Sequence, residues 1–447
     1  MKQLFGTDGI RGLAGEFPLD EKTVRIIGAS VARRFREKLG REPRFISGRD
    51  TRESGAWIEK AFQAGAALEN AVSESAGVLP TPGVAYLTKA LKYDAGVVIS
   101  ASHNPYYDNG IKIFLPTGMK TDEATERLIE KDIHTDASTD VSVEGVINSG
   151  SEAAFRVTYS MHLIGVADTI KKIDTLKIVI DCANGAASKF ATKVFRRLGS
   201  VVVINDRPDG RNINENCGST HIGGLMAKVV EEKADLGIAF DGDADRALFV
   251  DEKGELVDGD ATLWIMAGYL KDHGKLANST VVATVMSNIG LELALKSKGI
   301  NLLRTDVGDK YVLEKLIETG SEIGGEQSGH IMFPERSLVG DGMMTALLLL
   351  RAIAEKKVTL SQATSGFVRY PQILLNVKVA EKRPFSHVPE ISAAAKQVET
   401  ELHDEGRLLL RYSGTENLAR VMIEGKDQAG IEAQARRIAD VIESTIG

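Results

Sequence analysis

A short apolar run passes directly into a polar turn at residues 95–105, Ala95-Gly96-Val97-Val98-Ile99-Ser100-Ala101-Ser102-His103-Asn104-Pro105. Five apolar residues bounded by turn residues predict a buried strand. Ligands of open α/β sheets bind at the carboxyl ends of the strands, so Ser102 is expected at a crevice rather than in a core. A serine after a strand is also a common helix cap or turn residue. The role of Ser102 therefore depends on which other side chains lie at the carboxyl ends of the strands.

A second stretch of the same design lies at 236–246, where an apolar run is followed by Asp241, Asp243 and Asp245. Carboxylates at alternate positions supply oxygen ligands for a hard divalent cation, and without a cation they repel one another. Three carboxylates leave coordination positions open, which suits Mg²⁺ bound also to a phosphate oxygen that Arg246 can hold. The alternative is an aspartate-rich turn with no ion. Together with Ser102, the pattern favours a phosphoserine held on a metal.

Three segments of the chain share one order of elements. Each opens with an apolar run, continues through a helical pattern and a second apolar run, and ends in a third strand followed by a polar loop. The opening strands are predicted at 44–48, 176–181 and 280–285, and the closing loops lie at 100–105, 241–246 and 324–330. Strands that alternate with helices predict mixed, mostly parallel sheets. The repetition predicts three related α/β domains.

The chain has 447 residues, which is too long for one hydrophobic core. We predict α/β domains at 1–155, 156–255 and 256–367, and a smaller α+β domain at 368–447. The last is indicated by predicted strands at 373–379, 407–411 and 418–423 and by a closing helix at 429–446.

Composition limits the class of partner. The net charge of −7 argues against binding to nucleic acid or to an anionic membrane. Two cysteines, Cys182 and Cys217, give no disulfide framework and favour a reducing compartment. Neither a signal peptide nor an apolar stretch of the roughly 20 residues that a membrane span needs is found. We therefore expect a cytoplasmic protein with a small-molecule substrate.

A loop with the chemistry of a phosphate site follows the predicted strand that ends at Arg411. Gly414, between Ser413 and Thr415, lets main-chain N–H groups approach an oxyanion, and Arg411 offers a bidentate guanidinium. Arg420 can reach the same place from the next strand. The alternative is a plain hairpin turn with a solvated arginine. Beside a metal and a serine, the loop favours binding of a substrate phosphate.

Glu326, Ser328 and His330 occupy alternate positions in a glycine-flanked loop. Acidic and hydroxyl side chains at this spacing can bind neighbouring sugar hydroxyls. A lone histidine is more often a structural hydrogen-bonding group than a catalyst. We therefore assign the loop to substrate contact rather than to proton transfer.

Further basic residues lie near the two polar loops or near the start of the chain. His103, Lys112 and Arg11 can neutralise a transferring phosphoryl group or move a proton. An arginine between glycines, as Arg11 is, also occurs in ordinary turns. Asp50 and Arg52 are predicted to brace the first domain.

Taken together, four loops in this order resemble the α-D-phosphohexomutase superfamily over essentially the whole chain. The resemblance rests on the loops at 101–105, 241–246, 325–330 and 411–416. Within the superfamily, the segments at 5–12, 109–112 and 286–292 are similar to its bacterial branch that acts on glucosamine phosphate. Asn417 departs from the family, which commonly has proline there, and this affects the rigidity of the phosphate loop.

The resemblance implies four domains around a central cleft and a cycle through a covalent phosphoserine. Phosphorylated Ser102 would donate its phosphoryl group to glucosamine 6-phosphate and form a 1,6-bisphosphate. This intermediate would reorient and return the 6-phosphoryl group, which releases glucosamine 1-phosphate for amino-sugar and cell-wall precursor synthesis. Mg²⁺ would be held by the Ser102 phosphate with Asp241, Asp243 and Asp245.

The resemblance also implies roles for the remaining residues. Proton transfer would fall to Lys112 and His103, while Arg11 and Arg246 would line the phosphoryl site. Sugar hydroxyls would be bound by Glu326 and Ser328. The non-reacting phosphate would be held by Arg411, Ser413, Gly414, Thr415 and Arg420.

Three alternatives stay open at this point. The first is the same chemistry on mannose or glucose phosphates, because the sugar loop does not specify recognition of a 2-amino group. The second is a phosphatase with Asp241 as nucleophile, as in haloacid dehalogenase-like enzymes, although those carry the motif after their first strand. The third is an inert sugar-phosphate binder. A monomer and a homodimer are both compatible with the sequence.

Overall fold

The computed structural model describes residues 3–135, 151–170, 176–413 and 416–447. By contacts the chain forms two compact units. The first contains Met1–Met286 and Leu303–Ser365, and the second contains Ser287–Leu302 and Gly366–Gly447. In the described part of the chain, no helix is long and apolar enough to cross a membrane.

The first sheet of the first unit has the strand order β1-β2-β6-β5-β3-β4. Its strands are β1 (Phe5–Gly6), β2 (Gly9–Leu13), β3 (Arg44–Arg49), β4 (Val72–Val78), β5 (Ala95–Ile99) and β6 (Asp108–Phe114). The helices of this segment are α1 (Glu21–Leu39), α2 (Gly55–Leu68), α3 (Thr81–Ala90) and α4 (Glu123–Thr135). β3 is parallel to β4 and β5, while β6 is antiparallel to β5. Every residue of β5 is buried, which explains why it is continuously apolar rather than alternating.

The second sheet has the order β11-β10-β9-β7-β8. Its strands are β7 (Lys177–Asp181), β8 (Ser200–Ile204), β9 (Leu236–Phe240), β10 (Ala247–Asp251) and β11 (Leu256–Val257). The accompanying helices are α5 (Glu152–Ala167), α6 (Ala191–Phe195) and α7 (Gly223–Glu232). The helical segment that follows β7 is split into a 3₁₀ turn, Ala186–Lys189, and the short α6. The split occurs at Phe190, which is buried and has the non-helical dihedrals φ −123° and ψ −40°.

The third sheet has the order β13-β12-β14-β15. Its strands are β12 (Thr280–Thr284), β13 (Asn301–Thr305), β14 (Gly324–Gly325) and β15 (Ile331–Met332). The helices of this part of the first unit are α8 (Gly259–Asp272), α10 (Asp309–Thr319), α11 (Gly342–Lys356) and α12 (Leu360–Ala363).

The three sheets repeat one arrangement, which confirms the prediction of related α/β folds. The orders β4-β3-β5-β6, β8-β7-β9-β10 and β13-β12-β14-β15 correspond strand for strand. Counted in chain order, β5, β9 and β14 are the third strands of these groups, and each is parallel to the first strand, β3, β7 or β12. The fourth strand of each group, β6, β10 or β15, is antiparallel to the third. The three polar loops at 100–107, 241–246 and 326–330 all join a third strand to a fourth. They therefore occupy equivalent places, at the carboxyl end of the third strand.

The second unit contains an antiparallel sheet with the order β16-β18-β17. Its elements are α9 (Ile289–Ser297), β16 (Gln372–Lys378), α13 (Pro389–Leu402), β17 (Arg407–Tyr412), β18 (Leu418–Glu424) and α14 (Gln428–Ile446). Val421 and Ile423 of β18 share one core with Val398 of α13 and with Ile438 and Ile442 of α14. This confirms the α+β fold predicted for the C-terminal part. α9 groups with these strands, and the domain boundaries themselves stay a prediction.

Candidate active site

Ser102 lies in the loop between β5 and β6, fully buried and with a left-handed φ of 53°. Its hydroxyl donates to Asp241 Oδ2 over 2.5 Å, and its Oγ lies 3.3 Å from His103 Nδ1. Gly242 makes this close approach possible, because a Cβ there would lie 2.6 Å from the Ser102 carbonyl oxygen. The serine and aspartate loops, predicted separately from the sequence, therefore form one site.

Asp241, Asp243 and Asp245 lie in the loop between β9 and β10 and are all buried, with one ligand atom from each within 4.8 Å of the others. Asp243 Oδ1 and Asp245 Oδ1 are buried without a hydrogen-bond partner among the described residues. Burial, followed by the charges of Asp245 and Asp243, raises the pKa of Asp241 well above its usual range. Orphaned buried oxygens on carboxylates that repel one another are what a divalent cation would satisfy. The three aspartates therefore fit a metal ion.

Lys112, on β6, is buried against the same carboxylates. Its Nζ lies 2.8 Å from Asp243 Oδ2, 3.4 Å from Asp245 Oδ2 and 3.1 Å from Asp8 Oδ2. Burial opposes the charge of the ammonium, but the three carboxylates outweigh it and raise the pKa of Lys112 well above its usual value. Thr81 donates a further hydrogen bond of 2.6 Å to Asp243 Oδ2. Lys112 is thus a fixed cation beside the aspartates.

Alternating charges continue from Lys112 into a closed ring, which we call the charge ring. Lys120 Nζ lies 2.5 Å from Asp8 Oδ1 and 2.6 Å from Asp309 Oδ2. His330 lies between two carboxylates, with Nε2 3.5 Å from Asp309 Oδ2 and Nδ1 3.6 Å from Asp245 Oδ1. The members in order are Lys112, Asp8, Lys120, Asp309, His330 and Asp245.

Sequence reasoning missed three members of the charge ring, Asp8, Lys120 and Asp309. The motif at 5–12 contains Asp8, but only Arg11 was singled out there. Lys120 and Asp309 carry no local pattern, because they come from a turn after β6 and from the first residue of α10. His330, assigned to substrate contact from the sequence, is held by two carboxylates that raise its pKa although burial lowers it.

A cavity of about 220 Å³ opens beside the aspartates, and six of the predicted residues line it, namely Arg11, His103, Asp245, Arg246, Glu326 and His330. In the described chain, the Nε groups of Arg11 and Arg246 are buried without a hydrogen-bond partner. Burial, with the charges of Arg246 and Arg11, lowers the pKa of His103 to about 4. The lining therefore combines two arginines, whose Nε donors have no hydrogen-bond partner within the described part of the chain, with four carboxylates, those of Asp8, Asp245, Asp309 and Glu326.

Ser328 lies next to Glu326 in the loop between β14 and β15 and donates to its Oε2 over 3.2 Å. Glu326 Oε1 accepts the main-chain N–H of Gly308 over 3.2 Å. The Glu326 carboxylate is thereby oriented at the wall of the cavity.

The predicted phosphate loop lies in the second unit. Arg411 on β17 pairs directly with Arg420 on β18. Burial, followed by the Arg420 charge, lowers the pKa of Arg411. Ser413 is buried, and its carbonyl accepts a hydrogen bond from Lys382. Gly414 and Thr415 lie outside the described residues.

Four family models match the chain in succession, each described as a part of phosphoglucomutase/phosphomannomutase. They are α/β/α domain I over residues 2–140, α/β/α domain II over 158–254, α/β/α domain III over 258–370 and the C-terminal domain over 374–441. The chain belongs to the phosphoglucomutase/phosphomannomutase family. The expectation drawn from the four loops is thereby confirmed.

Curated relatives cover the chain from end to end. A protein of Solibacter usitatus named phosphoglucosamine mutase is 45% identical over 447 residues, which are 100% of this chain and 99% of the relative. Proteins of the same name from Syntrophotalea carbinolica and Desulforamulus reducens are 45% and 46% identical, and they cover 100% and 99% of this chain and 98% and 99% of their own lengths.

Solved structures of the family share the fold. A phosphoglucomutase/phosphomannomutase family protein of Burkholderia thailandensis superposes with a TM-score of 0.81 at 23% identity, covering 100% of this chain and 98% of its own. Aspergillus fumigatus N-acetylphosphoglucosamine mutase, in complex with GlcNAc-6P and magnesium, gives a TM-score of 0.67 at 19% identity, covering 99% and 96%. At these identities the likeness shows the fold alone.

Proposed function

We propose that this chain interconverts glucosamine 6-phosphate and glucosamine 1-phosphate through a phosphoserine at Ser102 and a 1,6-bisphosphate intermediate. The observation that carries the proposal is the position of Ser102, whose Oγ lies 2.5 Å from Asp241 within a buried carboxylate triad. Relatives named phosphoglucosamine mutase, 42–46% identical over the full length of the chain, support the choice of sugar. They also favour a mutase over the phosphatase alternative.

Ser102 fits the role of a phosphoryl carrier. In the forward step, the 1-hydroxyl of the sugar attacks the phosphorus and loses its proton to a base, while the bond from phosphorus to Ser102 Oγ breaks and Oγ takes up a proton. In the return step, Ser102 Oγ loses its proton and attacks the phosphorus of the 6-phosphoryl group, the bond from phosphorus to the sugar 6-oxygen breaks, and that oxygen recovers a proton. His103 and Lys112 are the proposed proton-transfer groups, because His103 Nδ1 lies 3.3 Å from Ser102 Oγ and Lys112 contacts the triad.

The charges around the cavity suit a transferring phosphoryl group. Arg11 and Arg246 would bind its oxygens, since their Nε donors have no acceptor within the described residues. Asp241, Asp243 and Asp245, with the Ser102 phosphate, would hold a Mg²⁺ ion. When bound, Mg²⁺ would supply positive charge that neutralises the phosphoryl oxygens.

We assign the sugar and the second phosphate to the other two predicted loops. Glu326 would accept hydrogen bonds from sugar hydroxyls, with Ser328 and His330 beside it. Arg411 and Arg420 would bind the phosphate that is not reacting, together with Ser413 and, by family resemblance, Gly414 and Thr415. In this proposal each phosphate of the 1,6-bisphosphate takes the reacting and the non-reacting role in turn.

A coupled assay with purified protein tests the proposal. Glucosamine 6-phosphate, glucose 6-phosphate and mannose 6-phosphate are supplied in turn with Mg²⁺ and a trace of the 1,6-bisphosphate. We expect kcat/KM for glucosamine 6-phosphate to exceed the other two by at least about tenfold, and intact mass spectrometry to find one phosphoryl group on Ser102. A clear preference for mannose or glucose phosphate would overturn the choice of sugar. A phosphoryl group found on Asp241 instead of Ser102 would overturn the mechanism.

A further inference from the structure

Arg52 follows β3 and is wholly buried in the first unit. Its Nε donates to Asp50 Oδ2 over 2.9 Å. The two terminal nitrogens donate to four main-chain carbonyl oxygens, those of Ser102, Asn104 and Pro105 in the serine loop and that of Asp108 at the start of β6. A guanidinium has five N–H donors in a rigid fork, so each of them has an acceptor here. Three of the five hold the loop that carries the reactive serine, and a fourth holds the strand that follows it.

The Asp50 carboxylate is linked to the main-chain N–H of Ser102, while Arg52 binds the Ser102 carbonyl oxygen. Its Oδ2 accepts a 2.6 Å hydrogen bond from Ser100 Oγ, and Ser100 Oγ in turn accepts the Ser102 main-chain N–H over 2.9 Å. Both polar main-chain groups of Ser102 are therefore tied to the Asp50–Arg52 ion pair. Asn214 adds a third support, because its Nδ2 donates to the carbonyl oxygens of Ser102 and Asn104 over 2.9 and 3.1 Å.

This density of hydrogen bonds coincides with an unfavourable main-chain conformation. Ser102 has a φ of 53°, which non-glycine residues rarely adopt and which persists only where the surroundings determine it. With this φ, Oγ lies 2.5 Å from Asp241.

We propose that Arg52, with Asp50 and Asn214, forms a clamp that holds Ser102 in the conformation that phosphoryl transfer requires. The inference rests on the proposed function, and it extends the bracing role that the sequence suggested for Asp50 and Arg52. These are positioning residues, because they act on the reacting hydroxyl through the main chain. A phosphoryl carrier displaced by about 1 Å loses alignment with its acceptor, which costs on the order of 100-fold in rate.

Arg52→Lys tests the clamp, with Arg49→Lys as the matched control. Arg49 is the last residue of β3, three positions before Arg52, and its side chain pairs with the buried Glu59 of α2. Among the described residues, the Arg49 side chain makes no hydrogen bond to the serine loop. We expect Arg52→Lys to lower kcat about 10- to 100-fold, with KM for glucosamine 6-phosphate within about twofold of wild type. The peptide covering 100–108 should exchange its amide hydrogens faster in Arg52→Lys alone.

Equal effects of the two variants on kcat and exchange, or an unchanged kcat in Arg52→Lys, would overturn the clamp. If Arg52→Lys does not fold, Asn214→Ala takes its place. It should lower kcat about 3- to 10-fold with KM unchanged, and a kcat equal to wild type would likewise overturn the proposal. Hydrogen exchange needs no substrate. A wild-type protein without mutase activity would therefore refute the proposed function, while exchange still tests the clamp.

Discussion

The hydroxyl of Ser102 donates a 2.5 Å hydrogen bond to Asp241, which lies 139 positions later in the chain. Each residue occupies the loop between the third and fourth strands of its own sheet. The contact joins the predicted phosphoryl carrier to the predicted metal ligands.

Ser102→Ala should abolish mutase turnover, lowering kcat by at least about 1,000-fold, because alanine has no oxygen to carry the phosphoryl group. Thermal unfolding should be little changed, and glucosamine 6-phosphate should still bind. Titration calorimetry measures the binding of glucosamine 6-phosphate, and the coupled assay measures turnover. Ser73→Ala is the control, since Ser73 is also buried but lies on β4, outside the serine loop. Turnover near the wild-type level in Ser102→Ala would refute the phosphoserine.

Asp243→Asn should weaken Mg²⁺ binding by at least about tenfold, because one of three buried carboxylates loses its charge. Titration calorimetry with MgCl₂ measures the change, and Asp209→Asn, in an exposed turn, is the control. In the wild type, excess chelator should remove the activity and added Mg²⁺ should restore it. Full turnover in protein shown to be free of metal would contradict the assignment.

Lys120→Met should destabilise the first unit by about 2–3 kcal/mol, because Asp8 and Asp309 lose their shared cation. The double variant Lys120→Met with Asp309→Asn should recover part of this loss, since one of the uncompensated carboxylates is then neutral. Urea unfolding of the wild type, both single variants and the double variant gives the coupling free energy. Additive losses would show that the charge ring does not act as a unit.

Arg411→Ala should raise KM for sugar phosphate about 10- to 100-fold, which corresponds to about 1.5–3 kcal/mol for a lost bidentate contact to phosphate. Free 1,6-bisphosphate should accumulate above the wild-type level, because the site for the non-reacting phosphate retains it less well. Ser102 phosphorylation and Mg²⁺ binding should not change. Arg383→Ala is the control, since Arg383 is exposed and pairs with Glu381. Loss of phosphoserine with an unchanged KM would contradict the assignment.

Glu126 on α4 gives a prediction for stability. Burial raises its pKa from 4.5 to about 7, and nearby Glu123, Asp122 and Glu130 act in the same direction while Lys310 opposes them. A carboxyl with a raised pKa in the folded state favours folding below its unfolded pKa. That contribution is lost as the pH rises from about 4.5 through about 7.

Glu126→Gln should therefore gain stability relative to wild type between pH 5 and pH 8, by about 1 kcal/mol after solvent screening. Urea unfolding at both pH values measures the difference, and Glu16→Gln at an exposed position is the control. A difference between variant and wild type that is the same at both pH values would contradict the prediction.

Most of the fold could be predicted from the sequence because its signals are local. The apolar runs at Ala95–Ile99 and Leu236–Phe240 are strands with every residue buried, and periodicity detects such strands directly. The grouping of α9 with the C-terminal strands has no such signal. It depends on Asn288, whose amide contacts Glu424 and the Tyr370 carbonyl. Contacts over more than 80 positions leave no periodic pattern.

The candidate site likewise contains residues that could be predicted from the sequence and residues that could not. Arg11, His103, Arg246, Glu326 and His330 all line one cavity, and each belongs to a motif that chemistry alone could single out. Lys120 belongs to no such motif, because a single basic residue in a turn has the same local appearance whether it is solvated or buried. For Arg52 the sequence suggested a bracing role but not its contacts with the serine loop. The importance of both residues comes from the carboxylates and carbonyls that surround them only after folding.

The closure of the charge ring has a consequence for synthesis of the chain. A nascent polypeptide that has emerged only as far as α4 contains Ser102, Lys112 and Lys120 but lacks Asp245, Asp309 and His330. Until His330 has been synthesised the charge ring cannot close, because His330 lies between Asp245 and Asp309. The phosphoryl transfer proposed at Ser102 would therefore have its complete set of surrounding charges only when the third repeat is in place.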